Sequence, residues 1–358
     1  MADVQDKVLV VGPSWVGDMV MAHSLVQIVA AAQPARLSVL VPEFMSSLLS
    51  RMPGVTDAIT TPFAHGRLQM RERWRIAARI RQVRFDRAII LPGSFKAALV
   101  PFLARIPQRV GFLGEKRYGL INDIRSIDPL RVPLATSRFA QLGLPSDAAA
   151  PLAYPPPRLN SEPQRVAKLL NEMGYVAVEK PILALCPGAE FGPAKRWPIE
   201  HYARVGQTKR NEGWQVWVIG SNADYPLGET IRKHVGQDCF NLAGKTRLDD
   251  AIDLISVATC VVTNDSGLMH IAAALGRPLI AVYGSTSPEQ TPPLTPNAQI
   301  LKVHLDCSPY PNPCFQRTCP LQHMDCLTRI SALQVLNAIS HLPLSPVSWL
   351  KGNSEAPL

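Results

Sequence analysis

The stretch VTNDSGLMH at residues 262–270 decides the fold of this chain. The apolar residues before it predict a buried strand, and the Ala-rich run 271–275 after it predicts a helix. Ser266 and Gly267 stand in the turn, where the first backbone N–H groups of that helix have no partner. The helix dipole favours negative charge there, so the turn is a candidate anion site. An ordinary capped turn accounts for the same residues equally well.

A second strand, predicted over residues 278–283, ends in another small polar loop, Gly284-Ser285-Thr286. Two neighbouring strand ends with such loops form the kind of crevice in which open parallel sheets bind ligands. Strands and helices alternate along the rest of the chain, which predicts βαβ units and parallel sheets, an α/β fold. The other predicted strands are residues 7–11, 37–41, 55–59, 87–91, 182–186, 215–219 and 260–263. Helices are predicted over about 18–33, from 42–43 onward, and over about 162–173, 200–211, 225–235 and 248–257.

The length of the chain and one Pro-rich segment predict two domains. A chain of 358 residues is long for one hydrophobic core, and 47% of its residues are apolar. Residues 151–158, PLAYPPPR, contain too much proline for a helix or a strand and are interpreted as a linker. We therefore expect a doubly wound N-terminal domain at 1–158, a second one at 159–345 and a polar tail at 346–358.

The composition indicates a basic protein of the cytoplasm. The net charge is +9 at pH 7, which is typical of proteins with an acidic partner such as nucleic acid, a phosphorylated ligand or an anionic membrane. No apolar run is long enough to span a membrane, and the polar N-terminus does not have the pattern of a signal peptide. Seven cysteines, an odd number in a large chain, argue against a disulfide scaffold.

Much of the positive charge lies within residues 67–87, which hold eight arginines against two carboxylates, a net charge of +6. Four of these arginines are spaced four residues apart and are predicted to form one stripe on a helix, with Trp74 at its edge. They are Arg67, Arg71, Arg75 and Arg79. A basic amphipathic helix of this kind favours an anionic membrane surface or nucleic acid. No nucleic-acid motif accompanies it, so we expect the membrane surface, with a solvated helix face as the alternative.

In the first half of the chain, Asp18 is the candidate general base. It follows the segment Gly12-x4-Gly17, which lacks the Lys and Ser/Thr of a nucleotide-triphosphate loop, and a dinucleotide fingerprint is also absent. An Asp at the start of a helix, beside the predicted crevice, stays ionised and can accept a proton. A structural cap is the alternative that the local sequence favours. Lys96 follows another predicted strand and either binds an anionic acceptor group or is a surface lysine.

In the second half, residues 187–198, PGAEFGPAKRWP, predict a phosphate-binding loop. They join a strand to a helix and combine two glycines with the cations of Lys195 and Arg196. A solvated loop is the less favoured alternative. Asn222 follows the next strand, where it is placed to meet a ribose, and Thr246 is predicted at the same edge of the sheet. For both of these residues an ordinary turn is the favoured interpretation.

A late group of cysteines has spacings of six, four and six residues, with His304 and His323 nearby. The four residues are Cys307, Cys314, Cys319 and Cys326. These spacings do not match the zinc signatures built from C-x2-C pairs. We therefore expect structural cysteines and no metal, and we keep a metal site as the minor alternative.

Three motifs occur together in the order of a known family. They are GPSWVGD at 12–18, the loop at 187–198, and NDSGLMH at 264–270 followed by YGST at 283–286. They resemble the ADP-heptose:lipopolysaccharide heptosyltransferases of glycosyltransferase family 9. The late run CFQRTCPLQHMDC at 314–326 resembles the branch of that family that adds the second heptose. The resemblance extends to about residue 342, which is nearly the whole chain.

The resemblance implies a GT-B fold, in which two Rossmann-like domains face each other across a cleft, with the acceptor bound on the N-terminal domain and the donor on the C-terminal one. Asp18 would be the general base on the acceptor hydroxyl, and Lys195 the phosphate-binding lysine. The residues matching the donor-binding turn are Asp265, Ser266, Gly267 and His270. The residues assigned to the acceptor are Ser14, Trp15 and Lys96. Asn222 replaces the ribose-binding Glu of the first-heptose branch, and Thr246 is a weaker match on the adenine side.

The implied activity is an inverting, metal-independent transfer of L-glycero-D-manno-heptose from ADP-heptose to the first heptose of the phosphorylated Kdo-lipid A inner core. It requires no cofactor, and the basic stretch at 67–87 would hold the enzyme on the cytoplasmic face of the inner membrane. One alternative is heptosyltransferase I or another GT-B transferase with a different donor or acceptor. The other is a non-enzymatic protein that binds a nucleotide sugar and docks on a membrane.

Overall fold

The protein divides into two compact units, Met1–Arg158 and Leu159–Leu358. The computed structural model describes residues 6–32, 35–63, 66–128, 131–148, 153–176, 179–308 and 313–344. Residues 153–158 of the expected linker form neither a helix nor a strand, while 151–152 and the expected tail at 346–358 lie outside the described residues. The acceptor and donor roles of the two units stay predictions.

The first unit is built on one parallel sheet. Its strands among the described residues are β1 Asp6–Val11, β2 Ala35–Pro42, β3 Asp57–Thr61, β4 Arg87–Ile90, β5 Gln108–Phe112 and β6 Asp123–Arg125. The order across the sheet is β3-β2-β1-β4-β5-β6, and each pair is parallel. The chain therefore moves outward in both directions from β1 and β4. Loops that follow these two strands lie at the switch point where open sheets bind ligands.

Helices cover the sheet of the first unit. They are α1 Val16–Met21, α2 His23–Ala32, α3 Ser46–Leu49, α4 Met70–Val83, α5 Phe95–Leu103 and α6 Ala135–Gln141. The single helix predicted over about 18–33 was wrong in detail, because Ala22 separates α1 from α2. The helix predicted from residues 42–43 begins as a 3-10 turn, Glu43–Met45, before α3. Ile76, Ala77 and Ile80 of α4 are buried in the core against β4 and α5.

The second unit repeats this plan. Its strands among the described residues are β7 Ile182–Cys186, β8 Gln215–Val218, β9 Cys239–Asn241, β10 Cys260–Asn264, β11 Leu279–Tyr283 and β12 Ala298–Lys302. The order is β12-β11-β10-β7-β8-β9, and each pair is parallel. The switch point lies between β7 and β10. The stretch VTNDSGLMH therefore leaves the sheet at its centre, with every residue of β7, β10 and β11 buried.

The first five helices of the second unit end close to the predicted positions, and two later ones were not predicted. They are α7 Val166–Glu172, α8 Ile199–Asn211, α9 Tyr225–Val235, α10 Leu248–Ser256, α11 Gly267–Ala274, α12 Asp325–Thr328 and α13 Ala332–Ser340. The first, predicted from about residue 162, begins instead with the 3-10 turn Pro163–Arg165. Two other 3-10 turns, Pro193–Lys195 and Asn222–Asp224, lie in the loops that follow β7 and β8. These turns carry two of the predicted site residues.

The eight strands predicted from apolar runs are confirmed, and four others among the described residues were missed. The missed strands are β5, β6, β9 and β12, which lie toward the edges of the two sheets. An edge strand is only partly covered, so it does not need the continuous apolar run by which a central parallel strand is recognised. β12, with the sequence AQILK, has no fully buried residue.

Candidate active site

Lys195 and Asp265 form the centre of the candidate site in the second unit. Lys195 Nζ lies 2.6 Å from Asp265 Oδ2, and their side chains are 14% and 6% exposed. Nζ also donates to the carbonyl oxygen of Asp265 at 3.3 Å. Thr286 Oγ1 donates to the same Oδ2 at 2.6 Å. The loops that follow β7, β10 and β11 therefore meet at one carboxylate.

Asn264, the last residue of β10, holds the β7 loop in place. Its side chain is fully buried. Oδ1 accepts from the backbone N–H of Trp197 at 2.9 Å and from the Tyr202 hydroxyl at 3.1 Å. Nδ2 donates to the carbonyl oxygens of Pro187 at 2.7 Å and Gly188 at 3.3 Å. Both ends of the loop that carries Lys195 are thus bonded to one buried amide, which orients the lysine.

The N-terminus of α11 stays accessible beside this carboxylate. Ser266 occupies the N-cap position in an extended conformation, and its side chain makes no capping hydrogen bond to the helix. Its Oγ lies instead 3.3 Å from Thr263 Oγ1. Ser266 and Gly267 are half-buried. The first N–H groups of α11 therefore have no side-chain cap, and an anion placed at this helix end would be stabilised.

His270 lies one turn further along α11 and is buried. Burial lowers the pKa of His270 to about 4; the charge of Asp265 opposes this shift and that of Lys195 adds to it. The imidazole is therefore neutral near pH 7. In a donor site it can serve as a hydrogen-bonding and packing group, but it does not supply a positive charge.

The turn after β8 packs against the start of the β7 loop. A Cβ atom at Gly188 would lie 2.4 Å from Asp224 Oδ2, so only glycine fits there without a shift of the turn. Asp224 in turn accepts from the backbone N–H and the hydroxyl of Ser221, at 2.9 and 2.7 Å. These contacts place the turn that begins with Asn222 beside the predicted phosphate loop.

Asn222 itself contacts the loop that follows β9. Gly244 has a φ of +72°, and a Cβ atom there would lie 2.9 Å from the Cα of Asn222. Thr246 follows two residues later and is half-buried. Asn222 and Thr246 therefore lie on neighbouring loops at the edge of β8 and β9, away from the centre of the sheet, whereas Lys195 and Asp265 follow the central strands.

In the first unit, Asp18 is the third residue of α1, which follows β1 at the centre of the sheet, and its side chain is half-buried. Gly12 allows this close turn, because a Cβ atom there would lie 2.8 Å from Val41 Cγ1. Of the two residues assigned to the acceptor in this turn, Ser14 is exposed and Trp15 half-buried.

Lys96 lies in the first turn of α5, which follows β4, the neighbour of β1. Lys96 and Asp18 therefore belong to the same switch point of the sheet. The preceding loop is held by Arg117, which is fully buried and donates to the carbonyl oxygens of Pro92 and Ser94 at 2.7 and 3.3 Å. Burial lowers the pKa of Arg117. Sequence reasoning missed this residue, because an arginine in a loop ordinarily indicates a solvated side chain.

The basic stretch at 67–87 does not form one uniform face. Arg67 lies before α4, so the helical stripe begins at Arg71 and the prediction for Arg67 was wrong. Arg73 is buried, donates to the carbonyl oxygens of Leu68 and Lys96, and lies 4.1 Å from the Phe63 ring centroid.

The exposed face of α4 carries Arg71, Arg75 and Arg79 together with Trp74, whose surface is 53% exposed. Arg87, at the end of the basic stretch, belongs to β4 and pairs with Asp6 at 3.2 Å. Among the described residues, none of the helices has the length and apolarity that crossing a membrane requires.

The late cysteines are free thiols. Burial, together with the charges of the other three late thiols, raises the pKa of Cys326 to about 11. Cys307 Sγ lies 3.9 Å from His323 Nε2. Within the part of the chain that the structure describes, however, no three His, Cys, Asp or Glu side chains are arranged to hold a metal ion. The minor alternative of a metal site at these cysteines therefore has no support in this arrangement.

The profile of glycosyltransferase family 9 (heptosyltransferase) matches residues 73–325. The chain belongs to this family. It is 45% identical over 309 residues to lipopolysaccharide heptosyltransferase 2 of Escherichia coli K12, covering 83% of this chain and 88% of that protein. It is 44% identical to lipooligosaccharide heptosyltransferase 2 of Haemophilus influenzae, with the same coverage.

Among solved structures, ADP-heptose LPS heptosyltransferase II of E. coli matches with a TM-score of 0.77 and 40% identity, over 92% of this chain and 99% of that one. The predicted family and the predicted α/β fold of GT-B type, with two Rossmann-like units, are thereby confirmed. The roles of individual residues in this heptosyltransferase stay predictions.

The structure also adds residues that the sequence reasoning had not assigned to the site. Asn264 and Thr286 stood within the quoted motifs but received no role. A lone amide at the end of an apolar strand was a usable signal for Asn264, because a buried polar side chain must be hydrogen-bonded. No comparable signal pointed to the contact between Thr286 and Asp265, which joins two separate loops.

The depressed pKa of His270 predicts a pH-dependent contribution to stability. In the unfolded chain its pKa is about 6.5, so protonation favours unfolding; the contribution is complete above pH 6.5 and is lost as the pH falls toward 4. We expect the free energy of unfolding, measured by urea titration between pH 7 and 4, to fall by up to about 3 kcal/mol more in the wild type than in His270→Gln. If the free energy of unfolding depends on pH in the same way in both proteins, His270 does not make this contribution.

Proposed function

We propose that this heptosyltransferase transfers L-glycero-D-manno-heptose from ADP-heptose to the first heptose of the Kdo-lipid A inner core, in lipopolysaccharide core biosynthesis. A hydroxyl oxygen of the acceptor attacks the anomeric carbon, the bond from that carbon to the β-phosphate oxygen breaks, and ADP leaves. The hydroxyl proton passes to a carboxylate of the enzyme. A single displacement of this kind inverts the anomeric centre.

One observation supports the proposal for the donor site: both Lys195 and Thr286 lie 2.6 Å from the Asp265 carboxylate. The accessible N-terminus of α11 stands beside them and stabilises negative charge through its dipole and its unpaired N–H groups. The Lys195 cation and this helix end suit the diphosphate of a nucleotide sugar, where charge develops as the leaving group departs. Asn222 and Thr246, on the loops after β8 and β9, are assigned to the ribose and the adenine side.

Asp18 is the proposed general base. It belongs to the turn after β1, while Lys96 follows β4, and these two strands flank the switch point of the first sheet. We assign Ser14, Trp15 and Lys96 to binding the phosphorylated acceptor at this sheet edge. A carboxylate is required near the attacking hydroxyl, because an alcohol is a poor nucleophile until its proton is removed.

Asp18→Asn tests the base. The amide preserves the shape of the side chain but cannot accept the proton, so ADP release that depends on the acceptor should fall by about 100-fold or more, while ADP binding changes little. ADP release is measured by a coupled assay and ADP binding by calorimetry, with exposed Asp147→Asn as the matched control. If Asp18→Asn keeps wild-type turnover, another group is the base.

Lys195→Ala tests the donor site. Removal of the lysine takes away a phosphate-binding cation and leaves the negative charge of the buried Asp265 carboxylate uncompensated, so the dissociation constant of ADP-heptose should rise about tenfold or more. Calorimetric titration of the purified protein measures this constant. Lys233→Ala on the exposed face of α9 is the control. An unchanged dissociation constant in Lys195→Ala would remove this lysine from the donor site.

We also propose that α4 docks on the anionic inner membrane from its cytoplasmic face. Arg71, Arg75 and Arg79 share its exposed face with Trp74, an aromatic residue of the kind that favours the headgroup region. The opposite face packs into the core. The acceptor is a lipid, so binding at the membrane surface would concentrate the enzyme where its substrate lies. Anionic phospholipid is therefore the occupant that matches this face in charge.

Vesicle binding tests the α4 surface. Each arginine near an anionic bilayer contributes about 1 kcal/mol, so replacing Arg71, Arg75 and Arg79 together by Gln should weaken binding to phosphatidylglycerol-containing vesicles roughly 100-fold at low salt. Co-sedimentation measures this binding. The control replaces three exposed cations of the second unit, Lys168, Arg204 and Lys233. Equal binding by both triple variants, or binding of single-stranded RNA in place of vesicles, would contradict the proposal.

A further inference from the structure

The proposed donor site has a charge deficit. Lys195 is the cation assigned to the diphosphate, yet its charge is already offset by Asp265 at 2.6 Å. Thr286 donates to the same carboxylate, and His270 is neutral near pH 7. A leaving diphosphate accumulates negative charge that one paired lysine does not balance, and the α11 N-terminus supplies only a partial positive charge. A second cation at this place would remove the deficit.

The segment that follows residue 313 lies directly against the loop that carries Lys195. The backbone N–H of Ala194 donates to the carbonyl oxygen of Arg317 at 3.1 Å. A Cβ atom at Gly192 would lie 2.3 Å from that same oxygen, so the two backbones approach as closely as they do only because residue 192 is glycine. On its other side the segment is bonded to the β11 loop, because Phe315 N–H donates to the Ser285 carbonyl at 2.9 Å.

These contacts bring the Arg317 side chain to the same aromatic ring as Lys195. The guanidinium carbon of Arg317 lies 5.5 Å from the ring centroid of Phe191, and Lys195 Nζ lies 5.1 Å from it. Arg317 is exposed, and no ion pair of its guanidinium occurs among the described residues. Two cations therefore lie near the Phe191 ring. The charge of Lys195 is paired with a carboxylate, whereas the charge of Arg317 remains available.

We propose that Arg317 is a donor-binding residue that contacts the diphosphate of the nucleotide sugar and of the leaving ADP. The inference rests on the proposed donor site around Lys195. A guanidinium presents two parallel N–H donors that match phosphate oxygens, and it stays charged at every physiological pH. Asp265 orients the Lys195 ammonium group, and Arg317 adds a net positive charge beside it. The short backbone contacts at Gly192 and Ala194 then position the Arg317 side chain beside the loop that carries Lys195, although the two segments are distant in sequence.

Binding of ADP and adenosine to Arg317→Gln tests the assignment. The dissociation constant of ADP should rise about tenfold, and that of adenosine should not change, because the lost interaction is with phosphate. Arg317→Lys should recover part of the affinity for ADP. The matched control is Arg204→Gln, which removes an exposed arginine from α8. All constants are measured by calorimetry at one ionic strength, and thermal unfolding verifies that each variant is folded.

The outcomes separate this inference from the donor site on which it rests. If Lys195→Ala weakens ADP binding and Arg317→Gln does not, Arg317 is a surface residue. The inference about Arg317 is then wrong, while the donor site around Lys195 stands. If neither variant changes ADP binding, the donor site itself is wrongly assigned. If Arg317→Gln weakens adenosine as much as ADP, the effect does not act through the diphosphate and the inference is overturned. Selective loss of ADP affinity in both variants supports both assignments.

Discussion

The hydrogen bonds of the buried Asn264 amide are the constraint on which the proposed donor site depends. This one side chain ends the central strand β10 and bonds to both ends of the loop after β7. An amide that is fully satisfied in a low-dielectric interior has few alternative positions, because any shift would leave a buried polar group unpaired. The loop therefore has a defined path, and Lys195 reaches Asp265 from it.

The two sheets place their polar loops by the same rule. Each unit has a strand order that reverses at its centre, so the loops after β1 and β4, and after β7 and β10, emerge side by side. Central parallel strands are covered on both faces, which leaves their carboxyl ends as the natural position for polar side chains. The proposed site thus lies at the ends of the best-packed strands, where a rigid sheet positions the loops.

Much of the fold could be predicted from the chain alone. The central strands were found because they contain apolar runs, as the CVV of β10 and the LIAV of β11 show. The edge strands β6 and β12 were missed because a partly covered strand has no such pattern, and β9 was missed because its three residues are too few to form one. Asp18, Lys195, Asp265 and His270 were predicted as site residues because they follow strands in recognisable motifs, and the structure brings Lys195 into contact with Asp265. Arg67 was misplaced, because four-residue spacing does not reveal where a helix begins, and α4 begins only at Met70.

The sequence by itself determined two α/β units, the family and the residues at the strand ends, because apolar periodicity and motif order are local properties of the chain. Only the tertiary structure decided which of these residues touch. The contact of Thr286 with Asp265, the closure of the Arg317 backbone on Gly192 and the full burial of Arg117 each join segments that are distant in sequence. Such contacts depend on how loops pack across a finished sheet, and no spacing along the chain encodes them.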